Sequence, residues 1–393
     1  MARLQSCPVD RSSEAILLIP FLAGLFFNLI SISLSQVFYG LCLLLWLFLL
    51  VRRRLAFETP SFFWPLLVYA GLSLIASALS VNPLVSFRDS RELLIFLLIP
   101  VTMASLSSRR GPELAKYVLL ASGGLNLVYG LVVYFGGNQG GSRLRGFMGH
   151  YMTEAGLLML LIIFSLSQTL FSSERLKWAW AGLAAGSGFL LLLTLTRSAW
   201  LGVGVGIVLL VGLWRPKALV FLPFIFAAIY WVSPFEVKRR IMNTFNLSSP
   251  SNHARLEYYR AGIQVVKDWP LFGCGPDTVD MVFQNPKYGL SAQAKLNVHL
   301  HNNLLQLAAE RGLLALASWL TFMVWSLCLL WKKWQTKPAG SLSFIAAALA
   351  SEVALFSAGL FEYNFGDSEV VMFYLVLLTL PLALGRRQQR KLA

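Results

Sequence analysis

Residues 304–331 read LLQLAAERGLLALASWLTFMVWSLCLLW, and the way this stretch is read decides the fold. It is apolar apart from Gln306, the pair Glu310–Arg311 and a few hydroxyls, and it reaches past the ~17–25 residues with which a helix crosses a bilayer. Two charges inside such a run are costly unless they are paired or put to use. Outward from it lie eleven more apolar runs, at 15–34, 36–51, 60–80, 93–106, 114–136, 153–171, 176–195, 198–214, 217–233, 341–360 and 369–385. The run 93–106 is the shortest, and its length alone also fits a re-entrant segment. The composition agrees with this pattern: 393 residues, 57% hydrophobic and 13% charged, with a mean hydropathy of +0.66, are too apolar for a soluble surface. The reading is an all-α polytopic membrane protein with about twelve transmembrane helices. It forms a single integral membrane domain over 1–393 and carries a large, partly helical loop at 234–300.

The net charge of +15 would suggest nucleic acid in a soluble chain; here it is a topology signal, and no nucleic-acid partner is expected. With the N-terminus cytoplasmic and twelve crossings, 19 of the 33 basic residues fall in inner segments, nearly all of them short loops. Dropping 93–106 spoils that pattern. Thirteen of the 18 acidic residues, and all of His150, His253, His299 and His301, fall on the other side. Acid–base and anion chemistry is therefore expected at the outer face, with both termini inside. Cys7, Cys42, Cys274 and Cys328 are too scattered for a disulfide framework or a metal motif. No apolar stretch precedes Leu4-Gln-Ser-Cys7, so neither a cleaved signal nor a lipid anchor is expected.

The outer segments hold the candidate chemistry. His253–Lys267 (HARLEYYRAGIQVVK) has helical spacing, with Leu256, Tyr259, Ile263 and Val266 on one stripe, and it carries Arg255 and Arg260. Arg197 interrupts an apolar stretch at the outer face, and Arg143 and Arg145 follow the fifth span. Arginine offers a planar fork of donors matched to phosphate oxygens; interfacial anchoring is the competing reading for any one of them. His299-Leu-His301-Asn302-Asn precedes the tenth span. Its spacing differs from the i, i+4 pairs of helical zinc sites, so no metal is expected, and a neutral histidine there serves as a general base. Glu310 and Arg311 pair with each other or with other bundle groups. Glu352 in the eleventh span pairs with Arg311 or touches substrate. Gly202-Val-Gly204-Val-Gly206 sits inside an apolar span, where glycines allow close helix packing rather than dinucleotide binding.

Together these pieces resemble the O-antigen ligase and polymerase superfamily of bacterial envelope glycan assembly. The likeness rests on Arg145-Gly-Phe-Met-Gly-His150, Thr196-Arg197-Ser-Ala-Trp200-Leu, and Arg255-Leu-Glu-Tyr-Tyr259 followed by Asp268-Trp-Pro270-Leu-Phe-Gly273-Cys-Gly275-Pro. It continues through His299-Leu-His301-Asn302-Asn-Leu-Leu-Gln306 into Glu310-Arg-Gly312, and the tail Glu362-Tyr-Asn364-Phe-Gly-Asp367 resembles the family's last outer loop. The resemblance spans about 145–370; the first five spans match in topology only. It departs from the family at Asp277, where a glycine is usual, and at Arg311, which interrupts a glutamate-glycine phrase.

The resemblance implies a glycosyltransferase of the bacterial inner membrane. Such an enzyme takes a glycan from undecaprenyl diphosphate at the periplasmic face and needs neither metal nor nucleotide. His301 would be the base that activates the acceptor hydroxyl, and Arg197 and Arg255 would hold the diphosphate. Arg260 and Arg145 are secondary phosphate-binding candidates, and His299, Asn302, Glu310 and Glu362 complete the substrate-binding set. The likeness is greatest to the O-antigen ligases, whose acceptor is lipid A–core. A polymerase extending a lipid-linked repeat and a protein-glycosylating relative share the donor. A non-enzymatic transporter of lipid-linked sugars is the rival of another class, although transporters place their polar groups near the midplane between repeated halves. A single base and a one-step displacement imply inversion at the anomeric carbon.

Overall fold

The computed structural model describes residues 11–108, 110–136, 143–244, 246, 250–292, 294–296, 299–338 and 340–392. Arg3, Cys7, Asp10 and Arg109, which entered the charge and cysteine readings, lie outside these. The chain is all-α, with no strand among the described residues. In order the helices are α1 (Arg11–Phe27), α2 (Ile32–Val51), α3 (Phe63–Ala78), α4 (Pro83–Asp89), α5 (Leu98–Ser105), α6 (Gly111–Phe135), α7 (Tyr151–Phe171) and α8 (Lys177–Leu193). They continue with α9 (Arg197–Trp214), α10 (Leu222–Val232), α11 (Phe235–Met242), α12 (Pro250–Asp268), α13 (Val279–Phe283), α14 (Asn303–Gln335), α15 (Leu342–Gly359) and α16 (Ser368–Leu392).

Each apolar run of the sequence falls on helix. Among the described residues six helices are long and apolar enough to cross a membrane unaided, and five shorter apolar helices accompany them. The run 15–34 stops at Phe27. A turn follows, Asn28 donates to the Glu369 carbonyl (3.1 Å), and Ser31 caps α2 by accepting from Leu34 N–H. The weak run 93–106 is the eight-residue 3₁₀ segment Ser90–Leu97 continued by the eight residues of α5. At about 2.0 and 1.5 Å per residue these two pieces span roughly 28 Å, close to the hydrocarbon thickness.

The centre of the bundle is α7 and α15, each buried over 78% of its apolar length, and α9 lies against both. Close approach explains the glycines of α9: a Cβ at Gly202 would stand 2.7 Å from the Ala354 carbonyl, and one at Gly206 would stand 2.3 Å from Ile163. Glu352 in α15 accepts from Ser326 and lies beside Tyr374, so it does not pair with Arg311. On α10 the aromatic side chains face outward, with Phe224 71% and Trp231 77% exposed, as suits contact with lipid tails.

The loops separate into two ends. At one, Lys116 binds Glu113 and Glu174, both at 2.6 Å, and Ser167 reaches the Ser343 carbonyl. At the other, Arg143 binds the 194–196 turn, Val81 N–H donates to Cys274 O, and Asn302 reaches Leu360 O. These contacts group the loops as an alternation of crossings would, with the candidate chemistry at the second end.

The helix α14 is broken where the apolar run holds its charges. Gly312 has φ 82° and ψ 170°, so α14 consists of a short buried piece before it and a long span after it. The turn 270–275 fills the break. Cys274 N–H and Gly275 N–H donate to the Ala309 and Glu310 carbonyls (both 2.9 Å), and Leu313 N–H donates to Pro270 O (2.8 Å). In lipid an unsatisfied backbone group costs several kcal/mol, so the turn and the break require one another. A Cβ at Gly312 would stand 2.0 Å from the Leu271 carbonyl. Gly312→Ala combines that clash with a positive φ worth about 1–3 kcal/mol of strain. We expect it to lower the unfolding temperature in detergent by several degrees, whereas Gly40→Ala, which meets nothing within 4 Å, leaves it unchanged.

Candidate active site

The site is built around the start of α14. Asn302 is its N-cap: Oδ1 accepts from Leu305 N–H (2.9 Å), while Nδ2 donates to Leu360 O (2.9 Å). Both ends of this amide are thus committed to the fold rather than to a ligand. The cap sets the preceding residue, His301, at φ +51°, a conformation uncommon outside glycine. His301 Nδ1 lies 2.9 Å from Glu362 Oε1. The loop that carries Glu362 is fixed in turn by Asn303, which donates to Asn364 Oδ1 (2.7 Å) and accepts from Phe365 N–H (3.2 Å).

The Glu362 side chain is largely buried and accepts also from Tyr363 N–H (3.1 Å). Burial raises its carboxyl, but the bond and charge of His301, Arg255 nearby and the Tyr363 amide outweigh it and hold the group below the ordinary glutamate value. Glu362 is therefore ionised near neutral pH and accepts from His301 Nδ1–H, the tautomer whose neutral imidazole carries its lone pair on Nε2. Because the folded value is depressed, this contribution to stability is present above the ordinary glutamate pKa of about 4.3. It is lost as pH falls through the lower folded value.

His299 packs its ring 5.3 Å from Tyr363, with Nδ1 buried. Burial, and then His301, push it below the ordinary histidine value, so it stays neutral. Among the described residues no three of His, Cys, Asp and Glu gather with metal-ligand spacing.

Beside this pair stands a group of four arginines. Arg197, the first residue of α9, donates to Asn252 Oδ1 (2.9 Å) and Asn243 O (3.4 Å), and it lies within electrostatic reach of Arg240 and Arg255. Arg143 stacks on Tyr151 (3.5 Å) and binds the carbonyls of Thr194 and Leu195. Burial draws its guanidinium down to about 10, and Arg240 and Arg197 add repulsion. Burial and then Arg255 lower Arg240 also, and its Nε is buried without a partner among the described residues. Arg255 links the group to the pair, since its charge acts on both Arg240 and Glu362. Mutually repelling, half-buried cations form an arrangement whose cost an anion would relieve.

Several sequence candidates sit elsewhere. Arg260 is exposed, five residues from Arg255 on α12 and so on another face. Arg145 is exposed too, and it is Arg143 of that loop that reaches the group. Glu310 is not open to a ligand: Oε1 accepts from Gln306 (2.8 Å) and Asp277 N–H (3.1 Å), and Oε2 accepts from Arg311 (2.8 Å). Arg311 also binds Asp89 (2.7 Å) and Tyr363 (3.3 Å). The stripe on α12 is shifted as well. Tyr258, Ala261 and Val265 are buried against α14, whereas Leu256 and Ile263 are 40% and 51% exposed. Sequence reading missed Arg240, hidden in the charged run Lys238-Arg239-Arg240, and Asp89, in Arg88-Asp-Ser-Arg-Glu92.

Residues 182–320 match the family model described as O-antigen ligase. The match supports the O-antigen ligase and polymerase superfamily, whose members are membrane enzymes that process glycans. The match takes in Arg197, Arg240, Arg255, His301 and the Gly312 break; Arg143, Glu362 and Asp89 lie outside it. No curated protein matches the chain.

Removing Arg311 strands two carboxylates. Breaking a buried pair from one side costs about 3–5 kcal/mol, so Arg311→Met is expected to reduce the amount of folded protein extracted from membranes far more than Arg260→Met. Equal yields would contradict the network.

Proposed function

We propose that the protein is an O-antigen ligase. It transfers a glycan from undecaprenyl diphosphate to lipid A–core at the periplasmic face of the bacterial inner membrane, with both termini cytoplasmic. The observation that carries this reading is the contact between His301 and Glu362 beside the arginine group, because one-step transfer from a diphosphate needs a base and an anion site side by side. The positive-inside bias supports the orientation, since it puts the short basic loops in the cytoplasm.

The acceptor hydroxyl loses its proton to His301 Nε2 as its oxygen bonds to the anomeric carbon. The bond from that carbon to the diphosphate oxygen breaks, and the electron pair leaves with the phosphate. Charge grows on the leaving diphosphate, and Arg197, Arg255 and Arg240 are placed to stabilise it. Glu362 keeps Nδ1 protonated and stabilises the imidazolium that forms. The donor's own sugar–diphosphate bond supplies the driving force, and backside attack gives inversion. An NMR-assigned product of retained configuration would contradict this step.

The test is a ligase-deficient host that makes a compatible donor and lipid A–core, with capped lipopolysaccharide read on a gel at matched membrane abundance. Wild type is expected to cap, and His301→Ala to fall by about 10²–10⁴-fold. Glu362→Gln is expected to fall less, by at least tenfold. Equal capping by wild type and His301→Ala would overturn the assignment of the base. A deletion strain in which polymers are missing altogether, rather than left lipid-linked, would indicate the polymerase reading.

A further inference from the structure

An open space lies on the Asp89 side of the Arg311 network. It is a cavity of about 680 Å³ between α2, the 90–105 segment and the start of α16. Its rim carries Arg88, Arg91, Glu92 and Asp277; below them its wall is Leu43, Leu98, Val101 and Met372. Charge at the interface with hydrocarbon beneath is the polarity of a membrane lipid seated headgroup outward.

Three observations make this more than a gap between helices. Tyr39 lines the cavity, is 6% exposed, and has no hydrogen-bond partner for its hydroxyl among the described residues. A buried hydroxyl left unpaired is costly, and a ligand oxygen would supply the missing partner. Gly40 stands in the same wall, and nothing lies within 4 Å of where its Cβ would be. Among the described residues neither Arg88 nor Arg91 forms a salt bridge, although Asp89 between them is taken by Arg311. Arg91 Nε donates to the Arg88 carbonyl (2.9 Å), which leaves its terminal nitrogens and the Arg88 guanidinium to meet an anionic headgroup, while Glu92 and Asp277 beside them suit hydroxyls rather than a second phosphate.

The rim is coupled to the histidine through a short chain. Asp89 binds Arg311, Arg311 binds Tyr363, and Tyr363 is the neighbour of Glu362. We propose that this cavity seats the acceptor, a phosphorylated and acylated glycolipid. Its phosphate lies at Arg88 and Arg91, its sugar hydroxyls at Glu92 and Asp277, and an acyl chain against Leu43, Leu98 and Met372. The proposal rests on the transfer reading above. It divides the two lipids between two sides of the broken helix: the diphosphate donor at the arginines of α9, α11 and α12, and the glycolipid between α2 and α16.

The test uses the full-length protein in nanodiscs of phosphatidylglycerol and phosphatidylethanolamine, with lipid A–core and undecaprenyl diphosphate added and retained lipids read by native mass spectrometry. Wild type is expected to keep both. Gly40→Phe, whose ring fills the cavity, is expected to retain lipid A–core at least tenfold less and undecaprenyl diphosphate as well as wild type. A photoreactive benzoylphenylalanine in place of Leu94, which lines the cavity and is 59% exposed, should crosslink to lipid A–core without plugging the space. Equal retention of lipid A–core by wild type and Gly40→Phe, or a crosslink to phosphatidylglycerol alone, would overturn the proposal; the latter would mark a site for bulk phospholipid. If Gly40→Phe caps lipopolysaccharide as wild type does, the cavity proposal falls and the transfer reading stands. If lipid A–core is retained by wild type and lost in Gly40→Phe, but wild type transfers no glycan, the glycolipid site stands and the transfer reading falls.

Discussion

A membrane helix that breaks must find partners for the backbone groups it releases, and the rest of this site follows from how α14 meets that demand. Gly312 opens the helix, and the 270–275 turn of the long loop donates to the freed carbonyls and accepts from Leu313 N–H. The loop is thereby anchored to the bundle by backbone bonds rather than by side-chain packing alone. Glu310 and Arg311 stand at the same break. They join it to Asp89 on one side and, through Tyr363, to the loop that carries Glu362 on the other. Nine residues earlier the same short helix starts at Asn302, with His301 just outside it. The position of the histidine is thus set from both ends of one buried piece of helix.

This arrangement separates residues that touch substrate from residues that hold them. In the proposed reaction Arg197, Arg240, Arg255 and His301 face the ligand. Asn252, Asn302, Asn303 and Glu310 spend their polar groups on backbone and on the side chains of Arg197, Asn364, Gln306 and Arg311. Glu362 belongs between the two groups: it is buried and bound to His301, and through the protonation of Nδ1 it decides which nitrogen is free to act. The four arginines repel one another, and their half-burial increases that cost. A diphosphate whose negative charge grows as its sugar leaves would relieve it most at the transition state, which is where stabilisation accelerates a reaction.

Much of this could be read from the sequence because membrane segments announce themselves. Hydrophobic length gave the runs, and their charged flanks gave the alternation of ends. His301, Arg197 and Arg255 stood out as polar residues at the ends of apolar segments, and the structure brings them to one end of the bundle. What escaped was whatever depends on the third dimension. A helical period fixes the spacing of a stripe but not its phase, so α12 buries Tyr258, Ala261 and Val265 instead of the neighbouring set. Asp89 is 222 residues from Arg311, and no local pattern joins them. The pairing of Glu310 with Arg311 was readable from two charges within an apolar run, but its place in the substrate-binding set was not kept, because Gln306 and the Asp277 amide from a loop packed onto it take its other oxygen. The glycine at 312 was visible as a residue, but its left-handed backbone was not.

The central claim is that the broken helix places a base and an anion site side by side, and an experimental structure with undecaprenyl diphosphate bound in a nanodisc tests it most directly. The account predicts phosphate oxygens within hydrogen-bonding distance of Arg255 and at least one of Arg197 and Arg240. It also predicts that His301 Nδ1 remains on Glu362 and that Nε2 faces the position of the departing sugar. A diphosphate bound away from these arginines, or a His301 turned so that Glu362 meets Nε2 instead, would contradict it.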